Sequence, residues 1–163
     1  SGNEEAILGG AVLLILLIPG VIVLLVYVLC CVGLYKMAQK AGYDSPILAW
    51  IPIAQTWVMF VLPKNEFVIP LLNKTLDKRS TAFWIYLALP FASGILALIP
   101  FIGWLVDIAG LVAIYVMSYR VWCDLFAMYD SSTASRNAIL TVIFPILGPI
   151  FLLANMNKPL QNY

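Results

Sequence analysis

The 163-residue chain has no histidine, three cysteines and few charges. Without histidine, these residues exclude haem ligation through histidine, HExxH zinc hydrolysis and Ser-His-Asp catalysis. The cysteines are Cys30, Cys31 and Cys123. Their number is odd and two are adjacent in an apolar run, so they do not read as a disulfide framework. No C-x-x-C pair is available for thiol-redox chemistry, and small apolar packing residues are the simplest reading. A soft-metal site joining Cys123 and Asp124 to Cys30 or Cys31 is the alternative, but no spacing requires it. Only 10% of residues are charged, the formal net charge is +1, and the nine basic residues are spread along the chain. That distribution lacks the basic patch of a nucleic-acid binder. Neither a cofactor nor a nucleic-acid partner is expected.

Apolar residues fill the space that charge leaves. At 63% hydrophobic, the chain carries more apolar surface than a soluble domain of its size can bury, which places it in the integral membrane class. Its apolar runs are long and separated by short charged stretches, and a helix needs about 20 residues to cross about 30 Å of hydrocarbon. The sequence therefore predicts an all-α membrane protein, a single polytopic domain over 1–163 with four transmembrane helices at about 6–34, 82–100, 102–119 and 138–154. The first run follows Glu4 and Glu5 and is too long for a signal h-region, so it reads as a retained span. Pro19 and Gly20 within it predict a tilt or a kink. The PFIG turn makes the second and third spans an antiparallel hairpin. Beyond Tyr119, RVWCDLFAMYD mixes aromatics with Arg120, Asp124 and Asp130, the pattern of a helix emerging into the interface. Residues 63–80 read as a basic cytoplasmic loop with one apolar island, FVIPLL.

The stretch at about 47–62, which contains AWIPIAQTW, decides the topology. Its 16 residues would reach only about 24 Å as a continuous helix. Pro52 interrupts the helical hydrogen-bond ladder, and Trp50 and Trp57, seven residues apart on one helical face, are interface-seeking. If the stretch returns to its own side, with both termini outside, eight basic residues are cytoplasmic and only Lys158 is not. If it spans, the best division is six against three. The positive-inside rule favours the re-entrant or interfacial path.

Several side chains are candidates for binding or for an interface. Asp107 is the one carboxylate within an expected span, a functional suspect by position; its place about five residues into the helix also allows hydration near the helix N-terminus. Gln55 and Thr56 can contact a ligand or satisfy carbonyls freed by Pro52. Arg120 and Asp124 are spaced i,i+4 and form a pair worth tenths of a kcal/mol if exposed; Arg120 can instead meet a lipid phosphate. Small residues recur at four-residue spacing in Ala88/Ala92, Ser93/Ala97 and Ala109/Ala113, a pattern that permits close helix approach.

KMAQKAGYDSPILAWIPIAQTW resembles the signature "K-A-G, a few residues, then A-W-I-P-I-x-N" of a family of small polytopic membrane proteins. They are found mostly in Gram-positive bacteria and are related to a domain sometimes seen beside signal-peptidase domains. YRVWCDLFAMYDSSTASRNAILTVIFPILGPIFLLANMNKP is similar to that family's C-terminal pattern. The two stretches cover about two fifths of the chain, and Gln55 stands where the family more often has asparagine, keeping the carboxamide. The resemblance implies a bacterial cytoplasmic membrane protein and carries no activity with it. The expected function is a non-enzymatic accessory or scaffold protein that binds lipid or a membrane-protein partner through 47–62 and the basic loop, alone or as a homo-oligomer. The alternative is a small homo-oligomeric transporter or channel using Asp107 and the broken segment around Pro52. A membrane enzyme would have to work with Asp107, Asp124 and Asp130, and no two of these are placed to share a substrate.

Overall fold

A computed structural model describes residues 1–161. The described chain is mostly helical. Helix α1 (Gly2–Lys40) is followed by a 3-10 turn (Pro46–Trp50) and α2 (Pro52–Val61). Strands β1 (Phe67–Ile69) and β2 (Lys74–Leu76) come next, then α3 (Arg79–Leu96), α4 (Gly103–Tyr129), α5 (Ala134–Ile143) and α6 (Leu147–Asn155). Among the described residues, two helices, α1 and α4, are long and apolar enough to cross a membrane.

From Gly2 to Leu25 every residue of α1 is exposed. The uncharged part, residues 6–25, is about 30 Å long at 1.5 Å per residue, one hydrocarbon thickness. Only the C-terminal part packs, with Cys31, Leu34, Met37 and Ala38 fully buried. The helix runs through Pro19 unbroken, as α3 runs through Pro90.

The segment after α1 climbs back along it and descends. At its tip the Tyr27 hydroxyl donates to the Trp50 carbonyl at 2.6 Å, and one turn lower on α1 the Gln55 amide donates to Cys31 Sγ at 3.4 Å. Its two ends, Ala41–Asp44 and Val61–Lys64, line one shallow pocket. The stretch therefore ends beside the point at which it left α1. It does so as two short helices rather than one interrupted helix: Ile51 is extended (φ −96°, ψ 126°), Pro52 opens α2 where a missing N–H costs nothing, and the Leu48 carbonyl is taken by the Ile51 N–H at 3.1 Å. Trp50 and Trp57 thus lie on different helices, and their expected common face is not formed.

Two further expectations are corrected, over 63–80 and over 138–154. The 63–80 loop contains an antiparallel pair, Phe67 opposite Leu76 and Ile69 opposite Lys74, turned at Asn73 with a left-handed φ of 47°. The third expected span continues without a break through Arg120 and Asp124 to Tyr129 as α4, in keeping with the expected placement of that pair on its end. The expected fourth span, 138–154, is two short helices joined at an extended Phe144 (φ −123°, ψ 90°). Helix α6 descends beside α1 rather than away from it. Leu152 packs on Gly33, Lys40 Nζ donates to the carbonyls of Met156 and Lys158, and the Gln161 N–H reaches the Met128 carbonyl at 2.7 Å. Residues 156–161 lie with the C-terminal ends of α1 and α4, at the opposite end of α1 from Gly2.

Helices α3 and α4 form the expected antiparallel hairpin. Their close approach is Gly110 on Ser93, where an added Cβ would sit 2.6 Å from the Ser93 Cβ. Ser93 belongs to the small-residue pattern; Gly110, which lies between Ala109 and Ala113, does not. Gly110→Leu should push the helices apart and destabilise by about 1–3 kcal/mol, read as a lower thermal midpoint in detergent. Gly20→Leu, facing open space, should not lower it.

Candidate functional site

A cluster of charge inside the packed end is centred on Asp124, which is 3% exposed. Three groups converge on its carboxylate. Arg79 Nη1 donates to Oδ2 at 2.8 Å, Arg120 Nη2 to Oδ1 at 3.1 Å, and Asn65 Nδ2 to Oδ1 at 3.3 Å. Arg79, in the first turn of α3, also donates Nε to the Phe60 carbonyl and Nη1 to the Asn65 carbonyl. Its guanidinium stands over the Phe67 ring, 5.2 Å from the centroid. The α2 terminus, the loop after it, β1, α3 and α4 are tied together here.

The Arg120–Asp124 pair is formed as its spacing predicts, but Asp124 is buried and shared with Arg79, so the surface value of tenths of a kcal/mol does not apply. Two arginines face one carboxylate. Within this surplus of charge, Arg79 Nη2 and Arg120 Nε are buried without a hydrogen-bond partner.

The remaining candidates are dispersed. Gln55 is buried on Cys31 rather than on a carbonyl freed by Pro52. Trp57 packs edge-on against Phe83 at 5.1 Å and beside Trp84 at 6.4 Å, an aromatic wall between α2 and α3. Trp50 is partly exposed, and its carbonyl holds Tyr27. Pro52 caps the break and is exposed. Asp107 is exposed on α4, toward the end of that helix away from Asp124, and meets neither Gln55 nor Pro52. Thr56 borders a small cavity with Tyr86 and Ser118, whose hydroxyls are bonded at 3.3 Å. Among the described residues, no three cysteine or acidic side chains gather as a metal site.

Sequence reasoning missed Arg79, which reads as one charge among several in a basic loop. Its signal is position: it opens an apolar helix, where its side chain must lie back on the protein.

Comparison with known proteins returns no matching protein-family model, no matching curated protein and no matching solved structure.

Arg79→Met should destabilise the protein by about 3 kcal/mol, the lower end for breaking a buried pair because Arg120 still faces Asp124. The thermal midpoint in detergent measures it. A loss no larger than that of exposed Arg136→Met would contradict the assignment.

Proposed function

We propose that the protein is a multi-pass protein of the bacterial cytoplasmic membrane, related to the small polytopic family it resembles. In this reading it crosses three times, through α1, α3 and α4, and dips twice from the cytoplasmic face, through the 3-10 turn with α2 and through α5 with α6. The N-terminus is outside and the C-terminus inside. The positive-inside rule supports this path more strongly than the four-span path. Lys158 lies beside Lys40, so it joins the basic residues at the end of α1, whereas it would fall on the other side if 138–154 crossed.

Its function is that of a non-enzymatic accessory or scaffold protein binding lipid or a membrane-protein partner at the basic end. The observation that carries this reading is the gathering of the basic side chains and the packed core at one end. Asp124, Asn65 and most donors of Arg79 inside that end hold it together, while Arg79 Nη2 and Arg120 Nε are left without a partner. The transporter alternative, built on Asp107 with Pro52, finds no support, because those residues are apart.

Crosslinking in native membranes should capture a defined partner, or extraction in mild detergent should retain lipid; neither would contradict the function. Single cysteines introduced at Ser45, Ser132 and Gln161 in a cysteine-free background should all react from the cytoplasmic side, and one at Asn3 from the other. Labelling of position 161 from outside would contradict the path.

A further inference from the structure

The cluster around Asp124 carries more positive charge than it neutralises, and the face of α4 that carries Arg120 continues into an apolar groove. Asp124 offsets one of its two arginines. Burying the other charge is costly unless an anion completes the site, and each buried N–H without a partner adds to that cost. Arg79 Nη2 and Arg120 Nε are such donors. Arg79 is 9% exposed, whereas the Arg120 side chain is 26% exposed, so the cluster opens to its surroundings on the Arg120 side.

The groove begins one turn from Arg120. It has a volume of about 450 Å³ and lies between the β1–β2 hairpin and helices α3 and α4. On α4 its floor is Ala109, Ala113 and Val116. These positions continue at the same spacing to Arg120, which is i+11 from Ala109, so the floor and the guanidinium share one face of one helix. The distance from Ala109 to Arg120 along the helix is about 16 Å. The walls are apolar, from Ile85 and Leu89 of α3 to Ile69 and Leu72 of the hairpin. Leu71 and Leu72 at the hairpin tip are exposed, as lipid-facing residues are.

We propose that this is a phospholipid site. The phosphate of an anionic phospholipid completes the Arg79–Arg120–Asp124 cluster, and one acyl chain lies in the groove along Ala113 and Ala109. Charge-assisted bonds from two arginines select the headgroup, and the apolar groove selects a long chain over a free anion. The two small alanines supply the depth. The site specifies the lipid-binding half of the function proposed above and rests on the same membrane placement.

Native mass spectrometry of the detergent-solubilised protein tests it, with dioleoyl-phosphatidylglycerol, dioleoyl-phosphatidylcholine and inorganic phosphate as probes. Retention of the anionic lipid should exceed that of the zwitterionic lipid by about tenfold. Arg120→Gln should remove most of that preference, and Arg120→Lys should keep part of it, because charge survives without the planar fork. Ala113→Phe, which fills the groove without touching the arginines, should weaken the long-chain lipid and leave a dihexanoyl analogue unaffected. It also serves if the arginine variants fail to fold. Equal retention of the two long-chain lipids would overturn the site while leaving the membrane placement standing; retention of neither would count against both. Displacement of the anionic lipid by millimolar inorganic phosphate would overturn the lipid assignment in favour of a free anion.

Discussion

Asp124 is the interaction on which the packed end depends. A carboxylate with 3% exposure holds a charge in low dielectric, and it persists only because charged donors from separate parts of the chain satisfy it. Those donors fix the start of α3 against the C-terminal third of α4 and hold the loop after α2 to both. The β-hairpin is pinned by the same bond set, since Phe67 lies under the Arg79 guanidinium. Remove the carboxylate and two arginines face each other without compensation. The burial of aromatic and aliphatic residues around the cluster, from Phe60 to Leu125 and Tyr129, supplies the bulk stabilisation that makes the arrangement affordable.

A second constraint shapes the rest. Backbone groups at membrane depth must find partners within the protein. Both broken segments lie against a long helix: Tyr27 of α1 takes the Trp50 carbonyl of the first and Cys31 its Gln55 side chain, and α4 with α1 flanks the second. A recurring unit results, a long helix descending to the basic end followed by a tight turn and a hairpin of two short helices. It occurs once after α1 and once after α4, and Tyr-Asp-Ser opens the turn both times, at 43–45 and at 129–131.

Much of this is legible in the residues. Apolar runs gave the helical class, and the tight PFIG turn gave the α3–α4 hairpin. The error over 138–154 has a physical origin in proline. The residue before a proline is pushed toward extended geometry, and Ile51 and Phe144 obey this. Ile18 and Leu89, equally placed before Pro19 and Pro90, stay helical. Local sequence is the same in kind at all four positions; what differs is whether the chain must turn to meet a neighbour. Arg79 was hidden for a related reason, because its partner is 45 residues away and no spacing rule connects them. The short strands, three residues each, are below the length at which alternation becomes a signal.

The central claim is that α5 and α6 bring the chain back, so that its C-terminal residues share one membrane face with the end of α1. The most direct measurement is a spin-label distance in lipid bilayers between positions 39 and 157. The account predicts a separation below about 20 Å, whereas a value of about 30 Å or more, a full hydrocarbon thickness, would contradict it.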